Sequence, residues 1–112
     1  MNASSTERNP IRKAAVYQQG TLAGFLEEQK GGGWSFTYTD GYFGEPVSLT
    51  MPISQKRYDF EKFPPPFEGL LPEGILLEAF LRRYKLDADD FFGQLSIVGQ
   101  NVVGSLSIKE VA

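Results

Sequence analysis

Three consecutive glycines, Gly31 to Gly33, lead into Trp34, Phe36 and Tyr38, which alternate with Ser35, Thr37 and Thr39. That alternation is the period of a β-strand, whose successive side chains point to opposite faces. One face of this strand is wholly aromatic. Three large rings in a row must be covered, so the chain has to build a sheet with its core against that face.

The neighbouring stretches supply more strands. From Lys13, Ala15 and Tyr17 alternate with Ala14 and Val16, and Gln19-Gly20 offers a turn. Thr21 to Glu27 follows, with Leu22 and Leu26 as inward positions, and the two runs predict a β-hairpin. After the Asp40-Gly41 turn, Pro46 to Met51 predicts another strand, with Val47, Leu49 and Met51 on one side. Val103 to Lys109 alternates through Gly104, Leu106 and Ile108 and predicts a closing strand.

Between them the pattern changes. In Lys62 to Pro72 (KFPPPFEGLLP) three prolines predict an extended, polyproline-like approach. A helix is expected from Pro72, with Leu76, Leu77, Phe80, Leu81 and Tyr84 as an amphipathic stripe and Glu78–Arg82 as an i,i+4 pair. Asp87 is the expected N-cap of a second helix running to Val98, with Phe91, Leu95 and Val98 inward and Gly99 as its stop. The fold class is therefore α+β, a small curled antiparallel or mixed sheet with two consecutive helices near the C-terminus. Residues 1–11 are expected to be a flexible polar tail and residues 12–112 one domain.

Composition removes whole classes of chemistry. The 112 residues include no cysteine and no histidine, which excludes disulfides, thiolate metal sites and every Ser-His or Cys-His catalytic pair. The net charge of −3 argues against direct nucleic-acid binding. No apolar run approaches the roughly 20 residues that span a bilayer, and a cytoplasmic protein without cofactor or metal is expected.

Most candidate constellations have a structural explanation. In Lys30-Gly31-Gly32-Gly33 the lysine precedes the glycines and a strand follows, so a hairpin turn is preferred to a phosphate loop. Asp87, Asp89 and Asp90 suit a helix start better than a metal site. Trp34, Phe36, Tyr38, Tyr42 and Phe43 lack the interleaved cations of a base-stacking platform and are expected to be core; a small-ligand site on the Trp34–Tyr38 face is the weaker alternative. Phe63 to Leu77 (FPPPFEGLLPEGILL) is different. It holds more apolar area than one helix start requires, its helix lacks a Ser, Thr, Asp or Asn cap, and Ile75 lies off the inward stripe. Either all of it folds inward, or part of it faces a partner's pocket.

At these residues the sequence resembles a known family. Tyr17 to Gly24, Trp34 to Tyr38, Leu49 to Pro52, Pro66 to Gly74 (PFEGLLPEG), Asp89-Asp90 and Gly99 to Gly104 are similar to the N-terminal subdomain of HipA-type serine/threonine kinases. The resemblance implies a non-catalytic module, for the chain holds no kinase glycine loop, catalytic-loop Asp-Asn pair or metal-binding DFG aspartate. A free-standing copy resembles the HipS-like antitoxins of tripartite HipBST toxin–antitoxin systems. That implies a HipT-like kinase toxin as partner, inhibited by binding, and a HipB-like DNA-binding protein as the third member of a complex. The implied partner-binding residues are Phe67, Leu70, Leu71, Pro72, Glu73, Gly74, Ile75 and Leu76. Ile75 stands where HipS-like relatives tend to carry a tryptophan wedge. The alternative is the N-terminal, non-catalytic fragment of a full-length HipA-like kinase.

Overall fold

A computed structural model describes residues 11–100 and 106–111. Five strands form one antiparallel sheet: β1 (Arg12–Gln18), β2 (Thr21–Glu28), β3 (Trp34–Tyr38), β4 (Arg57–Phe60) and β5 (Leu106–Val111), in the spatial order β4-β3-β2-β1-β5. Three helices follow β4 in the chain: α1 (Pro65–Glu68), α2 (Gly74–Tyr84) and α3 (Phe91–Val98). The class is α+β, as the alternation and its later switch of period predict.

The β1–β2 hairpin closes through Gln19 (φ 51°) and Gly20 (φ 83°). Two left-handed residues in a two-residue loop give the turn whose twist matches a right-handed hairpin. One extra residue on β2 shifts the register between Val16 and Tyr17, which puts Ala23 in the core and leaves Leu22 only half-buried. Gly31 and Gly32, both at positive φ, turn β2 into β3. A strand rather than a helix follows, so these glycines are a hairpin turn.

The aromatic face of β3 holds the core. Trp34 meets Phe63 edge-on at 4.9 Å and stacks on Phe92 at 5.7 Å, and Phe36 lies 5.7 Å from Phe67. Trp34, Phe36 and Tyr38 are all buried, which removes a small-ligand site on that face. Gly24 lets β2 approach β3 closely, because a Cβ there would lie 2.2 Å from the carbonyl oxygen of Thr37.

The expected strand at Pro46 to Met51 is not one. Only an isolated bridge joins Ser48 to Met51. The excursion is tied down instead by Tyr38, whose buried hydroxyl donates to the Met51 carbonyl and accepts from the Val47 amide at 2.9 Å. Burial pushes the Tyr38 phenol above its ordinary pKa, against the lowering effect of the Val47 N–H. Met51 is buried while Leu49 is 94% exposed. Phe43, 89% exposed between Gly41 and Gly44, is not core either. The fourth strand is Arg57–Phe60, a short sheet edge with an alternating exposed and half-buried pattern. Residues 1–10 of the expected tail and residues 103–105 of the expected last strand lie outside the described residues.

Candidate partner-binding surface

The segment from Phe63 to Leu77 divides in two. Pro64 is extended (φ −63°, ψ 127°) and starts α1, with prolines in the first helical positions. The predicted extended run is thus a helical turn, because a proline at a helix start loses no hydrogen bond and already has helical φ. This turn drives Phe67 (0% exposed) into the core, and Leu71 follows it at 8%. Both were expected at a partner's surface, and both are spent on the domain's own interior. Leu70 and Pro72 are half-buried, while Glu73 and Gly74 are exposed.

Beyond them the chain turns outward. The helix expected from Pro72 begins at Gly74, because Glu73 is still extended (φ −133°, ψ 161°) and Gly74 lies at φ +62°, a region L side chains rarely adopt. No side chain caps this end, as the absence of a Ser, Thr, Asp or Asn predicts. No residue of α2 is buried. Leu77, Phe80 and Leu81 form its half-buried inner side, whereas Ile75 is 83% and Leu76 72% exposed. Leu76 and Tyr84 therefore do not belong to a buried stripe. Nor is Glu78–Arg82 among the ion pairs of the described residues.

α3 is tied down by side-chain contacts, in contrast to α2. Asp90, not Asp87, caps α3, accepting from the Gly93 amide at 3.0 Å. It also accepts from Arg12 at 2.9 Å, and Arg12 reaches Glu28 at 2.7 Å while lying over the Phe92 ring. Burial lowers the Arg12 pKa, but the hydrogen bonds to Glu28 and Asp90 outweigh it and the net shift is upward. Phe92, Gln94 and Leu95 are buried on α3. Gln94 donates to the carbonyls of Asp87 and Ala88 at 3.2 and 3.1 Å, which fixes the link between α2 and α3. A cleft of ≈ 260 Å³ lies where α1, α2 and α3 meet, lined by Glu68, Leu71, Pro72, Leu77, Phe91 and Gln94 among others. No group of carboxylates among the described residues could hold a metal ion.

A family model described as the HipA N-terminal domain matches residues 14–109. This chain belongs to the HipA N-terminal domain family. The HipA N-terminal domain is a non-catalytic part of HipA, and the match includes no kinase domain. The chain is 33% identical over 103 residues to an uncharacterized protein of Haemophilus influenzae, covering 92% of this chain and 96% of that protein. A solved structure, the N-terminal domain of HipA toxin, superposes with a TM-score of 0.69 at 22% identity, over 94% of this chain and 97% of that one. At that identity the likeness is one of fold. No helix among the described residues is long and apolar enough to cross a membrane.

Proposed function

We propose that this HipA N-terminal domain acts in trans, as the antitoxin of a HipBST-type system that binds and inhibits a HipT-like serine/threonine kinase, with a HipB-like DNA-binding protein as third component. The observation that carries the reading is the exposed pair Ile75 and Leu76 at the start of α2, 83% and 72% accessible. They sit directly after the Pro72-Glu73-Gly74 turn, on a helix none of whose residues is buried. Large apolar side chains that stand in water gain by burial in a partner's pocket, which is what makes an anchor effective. The family supports the kinase as partner, since a HipA N-terminal domain sits beside a kinase core in its parent protein. The Haemophilus relative supports a separate chain, because the match takes up 96% of its length.

Titrating the purified protein into a HipA-like kinase core that lacks its own N-terminal module, and following phosphoryl transfer, tests the proposal. Activity is expected to fall to background at saturation, and Ile75→Asp to weaken the inhibition about tenfold, or about 1.4 kcal/mol. Undiminished activity overturns the antitoxin role. Activity that rises on addition supports instead the non-catalytic part of a divided or full-length HipA-like kinase.

A further inference from the structure

The outer face of α2 has a second half that the apolar anchors do not explain. Spacings of three, four and seven residues bring Ile75, Leu76, Ala79, Arg82 and Arg83 onto one side of the helix, and all five are exposed. Lys85 follows at the helix end, also exposed. Elsewhere Arg12, Lys13, Lys56 and Arg57 each pair with a carboxylate, and the other described lysines without one, Lys30, Lys62 and Lys109, are scattered singly along the chain. Among the described residues Arg82, Arg83 and Lys85 have no such partner, although the chain as a whole carries a net charge of −3. Arg83 only lies over the neighbouring Tyr84 ring, at 5.5 Å.

We propose that this face of α2 docks in two parts, Ile75 and Leu76 in an apolar pocket and Arg82 and Arg83 on a carboxylate cluster, and that its occupant is an acidic surface of the partner kinase. The inference rests on the functional reading above and adds the chemistry of the surface recognised. At 1.5 Å of rise per residue, pocket and carboxylates would lie about 10 Å apart. Ala79 between them lets a partner approach the helix backbone closely. A lipid surface is a poorer match, because two apolar side chains do not make the continuous apolar face of an interfacial helix. Nucleic acid is disfavoured by Glu78, Asp87 and Asp89, exposed on either side of the cations.

The test measures binding to the purified kinase core at about 50 and 500 mM salt, which brackets strong and weak screening. Wild-type affinity is expected to fall about tenfold across that range. Arg82→Glu with Arg83→Glu should bind about tenfold more weakly at low salt and lose most of the salt dependence, while Arg82→Lys with Arg83→Lys keeps it. The lysine pair should leave the thermal melt in place and the glutamate pair should lower it only slightly, through the helix dipole and the Tyr84 contact, since neither arginine has an ion-pair partner within the domain. If the wild type binds and Ile75→Asp weakens it, but the double glutamate variant binds like wild type at both salts, the two-part docking is wrong and the antitoxin reading stands. If the wild type does not bind the kinase, both fall. Charge-dependent capture by phosphatidylserine vesicles or duplex DNA in place of the kinase also overturns the inference.

Discussion

Helices α2 and α3 lie next to each other in the sequence and are treated oppositely by the fold. α2 runs 11 residues with apolar side chains at helical spacing, yet it buries none of them and has no side-chain cap. α3 runs eight residues, is capped by Asp90, and buries Phe92, Gln94 and Leu95. Amphipathic spacing by itself therefore does not say which helix enters the core. The aromatic face of β3 accepts only so many side chains, and Phe63, Phe67, Leu71, Phe92 and Leu95 already fill it. α2 is left as a second layer over the α1–α3 cleft, with Ile75 and Leu76 pointing outward.

The contrast can be broken by measurement. Phe92→Ala, which removes a ring stacked on Trp34, is expected to cost about 3–5 kcal/mol in urea unfolding. A loss near zero would mean that α3 is no more part of the core than α2. Asp90→Ala removes the α3 cap and the Arg12 contact together and should cost about 1–2 kcal/mol, while Asp90→Asn retains the cap and loses less. Gly74→Ala forces a Cβ into the left-handed region and should destabilise the first turn of α2 by about 1 kcal/mol. Amide hydrogen exchange at Leu77 and Glu78 would register it as faster exchange. Smallest of all, Leu76→Ala should leave the melt within about 0.5 kcal/mol of wild type, because the side chain is already in water. A larger loss would show that α2 is packed more tightly than its exposure implies.

Where the signal is local, the sequence is legible. The hairpin through Gln19-Gly20, the aromatic strand and the Gly99 stop of α3 each depend on a few adjacent residues and stand where the pattern puts them. Alternation misleads at Val47, Leu49 and Met51, because no strand is available to pair with them and Tyr38 claims the loop for itself. β4 goes unseen for the converse reason. Arg57 to Phe60 does alternate, with Tyr58 and Phe60 between charged residues, but four residues are too short a run to stand out until the open edge of β3 pairs with it. The candidate site is half legible: the missing cap and the outward Ile75 can be read from residue types, but the inward fate of Phe67 and Leu71 cannot.

On its own the chain determined its class, its hairpin turns, the aromatic wall against which a core must form, and the family visible in PFEGLLPEG. These follow from backbone preference and period, which act over a few residues. Tertiary structure alone decided that Phe67 and Leu71 are interior while Leu76 is surface. Burial is a competition for finite space against one sheet face, and its outcome depends on which side chains reach that space from all over the chain.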